Sequence, residues 1–239
     1  MLEVYWTADG SPTLIVKTED GYQEKMHHSG GAWTETLYIY HPVLKAVSGL
    51  SEAHLLSLGL GLGYNELMSC AHELTQKGNT RFILHSFELL DELREDFSIF
   101  LREGSSPLYG EFYRKILSLI AEEFHLEPES LRTFAAKKLK EESLLLLGPF
   151  PESLPKDFRY HGFFYDAFSN KMDPHLWTEE FLQTTLDRIS ANDCILSTYA
   201  ATGALKRSLR ALGFTKILRP GFAGKRDSSL YVRGRFHQE

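Results

Sequence analysis

The sequence predicts an α/β fold: a doubly wound parallel sheet with a β-rich lead-in before it and a helical insertion within it. Three observations carry the prediction. In His54-Leu-Leu-Ser-Leu-Gly-Leu-Gly-Leu-Gly-Tyr-Asn-Glu66, an apolar run opens into Gly59, Gly61 and Gly63, and an amphipathic stretch follows from about Asn65. A second apolar run, Arg81 to Phe87, ends in an acid, Glu88. Later runs at 143–147, 161–166 and 193–199 are spaced by stretches of helical character. Strands and helices that alternate in this way build parallel sheets.

The first of these stretches organises the rest. A buried strand, a tight glycine turn and the first turn of a helix need residues that take unusual dihedrals and let a bound molecule approach without a Cβ in the way. A loop of that kind over a helix N-terminus forms the cofactor floor of a Rossmann-like sheet. Gly59, Gly61, Gly63 and Asn65 are therefore candidate cofactor-binding residues. Glu88 falls at a strand's carboxyl end, the usual place for a carboxylate that hydrogen-bonds a ribose diol. The competing reading is an acid favourable with the dipole of the following helix. The order of strand, turn, helix, strand and acid favours the diol.

The lead-in, residues 1–50, reads as a β-rich extension ahead of a main domain over 51–239. Thr7-Ala-Asp-Gly-Ser-Pro12 is a turn cluster, and Thr13 to Lys17 pairs as a hairpin with Tyr22 to Met26 across Asp20-Gly21. Adjacent His27 and His28 face opposite ways on a strand, so no metal site is expected. Gly30-Gly31 is a turn that folds Trp33 and Glu35 toward the glycine loop, making Glu35 a cofactor candidate. Pro42 marks a helix start and Gly49 its end.

From Leu89 to Phe134 the chain reads as helical, broken at Gly104-Ser-Ser-Pro107 and Glu127-Pro128. That is longer than one crossover needs, so about 97–142 reads as an inserted helical layer. Ala135 to Glu142 carries mixed charge and reads as a solvated face. Asp166 closes the strand His161-Gly-Phe-Phe-Tyr-Asp166, where ligands bind in open parallel sheets. A helix to Ile189, a strand to Tyr199, a helix from Gly203 to Leu212 and a closing antiparallel pair, 216–218 with 229–233, complete the order.

Bulk composition narrows the function classes. The 239 residues suit one α/β domain with additions, and 43 % apolar with 24 % charged is ordinary for a globular chain. A net charge of −6 argues against gripping nucleic acid by bulk electrostatics, though not against a local basic patch. Cys70 and Cys194 lie far apart near apolar runs and read as two reduced core thiols. No run approaches the ~20 residues of a membrane span, and the N-terminus shows no export signal, so a cytoplasmic protein is expected.

Phe163-Phe-Tyr-Asp-Ala-Phe-Ser-Asn-Lys-Met-Asp-Pro-His-Leu-Trp-Thr178 resembles the Asp-Gly/Ala-Phe-x-Pro-x-Lys-Asn-Pro-x-(Leu/Met)-Trp signature of the MnmC methyltransferase domain. Ile195 to Leu209 with Gly213-Phe214 resembles that family's late strand and helix, and Gly221-Phe-Ala-Gly-Lys-Arg226 its terminal loop. Thr7 to Pro12 and Gly31-Ala-Trp-Thr-Glu-Thr36 match its opening segments. The Gly-x-Gly-x-Gly spacing is likewise similar to the first motif of S-adenosylmethionine (SAM) methyltransferases. The likeness spans nearly the whole chain apart from the insertion. The chain departs from the pattern at Ser57, where the family has an acid, at Gly148-Pro149, where it has Gly-Asp, and at Asn170 and Met172-Asp173.

The resemblance implies a SAM-dependent enzyme of tRNA modification, converting the 5-aminomethyl group of a wobble 2-thiouridine to 5-methylaminomethyl. It implies SAM as cofactor and tRNA as partner. With no second glycine fingerprint before Glu239, the chain resembles the stand-alone form, and a separate FAD-dependent oxidase enters as a further partner. Asp166 is the expected catalytic residue, orienting the amine and taking its proton, and it also faces the cofactor. Phe168 and Trp177 are expected as walls for the base or, equally, as core packing, and Lys171, Lys225 and Arg226 as phosphate contacts or a solvated face, with Lys206, Arg207 and Arg210 nearby. Two other readings stay open at this level: a SAM enzyme acting on another amine, and a catalytically silent binding module that keeps the fold.

Overall fold

The computed structural model describes residues 2–18, 21–200, 202–224 and 229–236. The chain opens with β1 (Leu2–Trp6), β2 (Pro12–Lys17) and β3 (Gln23–Lys25), which form a small antiparallel sheet of their own. Then come α1 (Ala32–Val47), β4 (Glu52–Leu58), α2 (Tyr64–Thr75), β5 (Arg81–Phe87), α3 (Asp91–Glu103), α4 (Gly110–Glu123) and α5 (Pro128–Lys140). The chain continues through β6 (Leu144–Leu147), β7 (Tyr160–Tyr165), α6 (Glu179–Ile189), β8 (Ser190–Thr198), α7 (Gly203–Ala211), β9 (Thr215–Ile217) and β10 (Ser229–Arg233). The second, larger sheet has the order β6-β5-β4-β7-β8-β10-β9. Its first five strands run parallel, and β10 pairs antiparallel with both β8 and β9.

This order puts a topological switch beside β4. The chain leaves it toward β5 and β6 on one side, then returns to β7 on the other. Register sharpens the point: Leu58 pairs with Phe87 and with Tyr165. The residues that follow these three, Gly59, Glu88 and Asp166, therefore stand in one row along the carboxyl edge. That is where ligands bind in such sheets.

Strand periodicity divides the core in two. On β4, Leu55 packs with Val43 and Val47 of α1 and Leu67 of α2, whereas Leu56 and Leu58 pack with Phe163, Trp177 and Leu186 on the opposite face. Burial on both faces is what makes these strands read as continuous apolar runs. Gly162 lets α1 lie close on the sheet, because a Cβ there would come within 2.6 Å of Leu55 Cδ2 and 2.7 Å of Val43 Cγ1. Both cysteines are free and buried, as their surroundings in sequence suggested.

Helix α1 replaces part of the expected β-rich lead-in, which ends at Lys25. Its start is fixed from a distance by the turn cluster. Ser11 Oγ accepts from the backbone N–H of Ala32 (3.1 Å) and Trp33 (3.0 Å), and Asp9 Oδ2 accepts from Thr34 N–H (3.1 Å). Those are the donors a helix N-terminus leaves unpaired. Pro42 is not the helix start; it lies inside α1. Its missing N–H frees the Tyr38 carbonyl, and Arg219 Nη2 donates to that oxygen at 2.7 Å with its guanidinium 4.1 Å from the Tyr38 ring centre. A long-range side chain restores the bond that proline removes.

The stretch 89–142 is helical, with breaks between α3 and α4 and between α4 and α5 at the segments the sequence marked. One reading there is corrected. Ala135 to Glu142 is not wholly a solvated face, since Lys138 is buried and its ammonium meets Glu73 Oε2 at 2.7 Å and the Phe82 carbonyl at 2.7 Å. A buried ammonium needs such partners.

Candidate active site

The floor begins where β4 stops. Gly59, Gly61 and Gly63 all have positive φ (92°, 51° and 77°). A Cβ on Gly59 would sit 2.8 Å from the Asp166 carbonyl oxygen, so only glycine lets the loop pass the end of β7. Gly63 answers to a different neighbour. A Cβ there would lie 2.4 Å from Phe97 of α3, so this glycine serves the packing of the helical layer and stands outside the cleft lining.

Glu88 joins the floor to the next helix. Its Oε2 accepts from Gly61 N–H at 3.1 Å and its Oε1 from Leu90 N–H at 3.1 Å, immediately before α3. Arg94 donates to its backbone carbonyl rather than to its carboxylate. The side chain is only 6 % exposed, and burial raises its pKa above the ordinary glutamate value. Both readings of this acid thus meet in one geometry: it braces a helix start and it lines the cleft. A carboxylate has about four acceptor sites, so capacity remains for a ligand beside these amides.

Asp166 faces the floor from the end of β7. Its Oδ1 accepts the Tyr40 hydroxyl at 2.6 Å. Burial pushes its pKa up to about 7; the Tyr40 hydrogen bond works against that, while Glu35 and Glu66 add to it. Asn65, 3 % exposed, lies beside the same carboxylate, and its Oδ1 has no hydrogen-bond partner among the described residues. A buried orphan acceptor lining a cleft is a group that a ligand donor would satisfy.

A further acid lies beneath the floor. Glu66 of α2 is 1 % exposed, accepts Ser86 Oγ at 2.7 Å and lies beside Ser57, and burial pushes its pKa up to about 7. The carboxyl missing from strand position 57 is thus matched by one reaching back from the helix.

The cleft between these groups is open at its mouth. Pro149, Phe150, Phe168, Leu176 and Tyr199 form its walls, and Leu89, 68 % exposed, stands at the rim. Its roof comes from the small sheet: Glu24, Lys25, Met26 and His27 line it from above. Glu24 accepts from Ser169 N–H (2.8 Å) and Ser169 Oγ (2.6 Å), tying β3 to the loop after Asp166. Lys171 Nζ lies 3.4 Å from the Tyr22 ring centre in the same seam. His27 is held by Thr13 Oγ1 at 2.8 Å, and burial lowers its pKa to about 4, leaving it neutral.

The expected residues sort by place. Gly59, Gly61, Asn65, Glu88, Asp166 and Phe168 line one cleft. Trp177 does not: it is 2 % exposed, set edge-on to Tyr165, and its Nε1 donates to the Phe168 carbonyl at 2.7 Å. It supports a wall from behind. Glu35 is not swung into the cleft by the Gly30-Gly31 turn; it sits in the first turn of α1, where Oε2 accepts His28 N–H at 2.6 Å. Lys171 is at the roof seam, and Lys225 and Arg226 lie outside the described residues. Sequence reasoning missed the roles of Tyr40, Tyr199, Phe150 and Glu66 and the place of the expected 22–26 strand over the cleft. Only Glu66, an acid in the first turn after a glycine floor, carried a local signal.

Comparison with known proteins agrees with this geometry. A family model described as S-adenosyl-L-methionine-dependent methyltransferase matches residues 111–231. A protein of Azoarcus sp. named tRNA 5-methylaminomethyl-2-thiouridine biosynthesis bifunctional protein MnmC is 27 % identical over 243 residues, 95 % of this chain and 36 % of that protein. Its namesake in Aromatoleum aromaticum is 39 % identical over 83 residues, 34 % of this chain and 13 % of that protein. The chain thus spans well under two thirds of the length of these curated relatives. A crystal structure of MNMC2 from Aquifex aeolicus matches 98 % of this chain and 70 % of that one, with a TM-score of 0.68 and 25 % identity. With the family's model covering half the chain and its fold reproduced over nearly all of it, the chain belongs to the SAM-dependent methyltransferases.

Proposed function

We propose that the chain methylates the amine of a 5-aminomethyl group on a tRNA wobble 2-thiouridine, with SAM as methyl donor. The observation that carries this reading is the Asp166 carboxyl, poised near neutrality at the end of β7 and bordered by Phe168. The names of the bifunctional relatives support the choice of substrate. On the same reading, 51–239 is the methyltransferase domain with 97–142 as its insertion, a separate FAD-dependent oxidase supplies the amine, and the work is cytoplasmic.

The cleft suits SAM on its own evidence. Gly59 and Gly61 present bare backbone, Asn65 offers an orphan acceptor, and the acids Glu88 and Asp166 suit a cationic guest. SAM supplies an electrophilic methyl on a sulfonium. Glu88 would hold its ribose diol, and Gly59, Gly61 and Asn65 its remaining polar groups. Asp166 would accept a hydrogen bond from the substrate amine, directing the nitrogen lone pair inward. As the nitrogen–carbon bond forms and the sulfur–carbon bond breaks, the nitrogen sheds a proton, and a carboxylate with its pKa close to working pH is suited to take it. Phe150 and Phe168 exclude water and offer flat faces to a base.

The test is methylation of tRNA carrying 5-aminomethyl-2-thiouridine, read by mass spectrometry of the digested nucleosides. A one-methyl gain on that nucleoside alone supports the reading, and no gain with saturating SAM overturns it. The net charge of −6 favours a second candidate, a small-molecule amine. A tRNA enzyme loses RNA affinity steeply with added salt; a small-molecule enzyme has no such slope to lose.

A further inference from the structure

Tyr40 lies 126 residues from Asp166 in sequence, yet its hydroxyl reaches the reactive carboxylate. It is 1 % exposed, and its hydroxyl donates to Asp166 Oδ1 at 2.6 Å. Its ring packs edge-on against Phe164 of β7, two residues before Asp166, with centroids 5.7 Å apart. The backbone just before Tyr40 is pinned twice: the Ile39 carbonyl accepts Ser197 Oγ of β8 at 2.6 Å, and the Tyr38 carbonyl accepts Arg219. The hydroxyl is therefore delivered to a fixed point. Burial, with Asp166 next in weight, holds the phenol's own pKa well above its ordinary value, so it remains a donor throughout the working range.

The surroundings explain what such a donor is for. Glu35 from α1 and Glu66 from α2 face Asp166 and oppose its negative charge, while Tyr40 and Asn65 favour it. Tyr199 is a neutral phenol beside it, with its hydroxyl committed to the Ala167 carbonyl at 2.9 Å. Among the described residues the main influences on this carboxylate besides burial are Tyr40, Glu35, Glu66 and Asn65, none of them a cation. We propose that Tyr40 is a positioning residue of the methyl-transfer site: it occupies Oδ1, holds the carboxylate charged against its acidic neighbours, and leaves Oδ2 for the cationic groups that enter the cleft. The inference rests on Asp166 serving the methyltransferase reading, and its test does not depend on finding the methyl acceptor.

The Tyr40→Phe variant removes one oxygen and keeps the contact with Phe164. In cofactor-free protein, carbon-13 NMR of the carboxyl carbon, assigned with Asp166→Asn, reads the Asp166 titration directly. Loss of a hydrogen bond to the charged form moves the midpoint up by about one pH unit. If SAM prefers the ionised carboxylate, calorimetry shows affinity lowered about eightfold at pH 6.5 and less than twofold at pH 8.5. A merely structural role would weaken binding equally at both. Replacing Tyr40 with 3-fluorotyrosine gives a second variant, a stronger donor that keeps the hydroxyl and moves the midpoint down. An unchanged midpoint in either folded variant overturns the proposal. Shifted midpoints without tRNA methylation leave the proposal standing and remove the substrate assignment instead.

Discussion

The floor and the roof of the cleft are built by different rules. The floor is made where three neighbouring parallel strands end together, so Gly59, Glu88 and Asp166 are placed by strand register and by the turns that follow. The roof is made by β3, a three-residue strand of a separate sheet, joined to the loop after Asp166 through side chains, Glu24 on Ser169 with Lys171 over Tyr22 beside it. Main-chain pairing and the turns after it fix the first; side-chain contacts between segments remote in sequence fix the second. The floor should accordingly fail abruptly when altered, and the roof should loosen by degrees.

The harshest way to test the floor is Gly59→Ala. The new Cβ would meet backbone, the Asp166 carbonyl at 2.8 Å, at a φ of +92° that disfavours L-residues. Neither the strand end nor the loop can give way cheaply. The left-handed strain alone costs about 1–2 kcal/mol, and displacing Asp166 adds to it. We expect chemical denaturation to show about 2–4 kcal/mol of lost stability and calorimetry to show SAM affinity down more than tenfold. A variant with native affinity would mean that register does not hold the floor.

A gentler test reaches beneath the floor. Burial raises the Glu66 pKa from its ordinary 4.5 to about 7. The folded state therefore binds this proton more tightly than the unfolded chain. Its stabilising effect is complete below pH 4.5 and fades as pH rises through 7. Above pH 7 the ionised group costs on the order of 3 kcal/mol by linkage. Glu66→Gln keeps an oxygen for Ser86 Oγ, so it should be more stable than the parent at pH 8 by about 1–3 kcal/mol and flatten the stability slope between pH 4.5 and 7. Urea melts across that window decide it, and a slope unchanged by the substitution would place the titration elsewhere.

The same contrast explains what could be read in advance. Strand–glycine–helix order, the acid after β5 and Asp166 after β7 are legible because each follows from periodicity, turn chemistry and strand ends within a few residues. The matches of Thr13–Lys17 with 22–26 and of 216–218 with 229–233 to paired strands follow from the same local signals. Pro42 misled for the converse reason: its penalty inside a helix is offset by Arg219, a residue no local window contains. Trp177 rested on a motif and Glu35 on the Gly30-Gly31 turn, and neither says which way a side chain points. Tyr40 carried no signal at all. It is an apolar-face position of an ordinary helix until α1 is laid across β7 and β8.

The roof is the place for the mildest prediction. Glu24 uses Oε1 on Ser169 N–H and Oε2 on Ser169 Oγ, and Tyr22 OH approaches Oε2 at 3.3 Å. Glu24→Gln leaves one oxygen able to accept and puts an amide where the other acceptor stood, so the Ser169 hydroxyl changes from donor to acceptor and both serine contacts become neutral, weaker bonds without removing the side chain. The site is only partly buried, and the global cost should stay below about 1 kcal/mol. What changes is local: the tie of the loop 166–173 to β3 weakens, and the loop's amides should exchange severalfold faster while those of β4 and β5 hold their rates. The loop carries Asp166 and Phe168, so a looser tie also lets ligand escape sooner. We expect SAM dissociation to quicken about two- to fivefold, with association little altered. Hydrogen exchange and stopped-flow dissociation check the two halves separately. If the floor amides exchange as fast as those of the loop, floor and roof are one cooperative unit, and the division drawn from their construction is wrong.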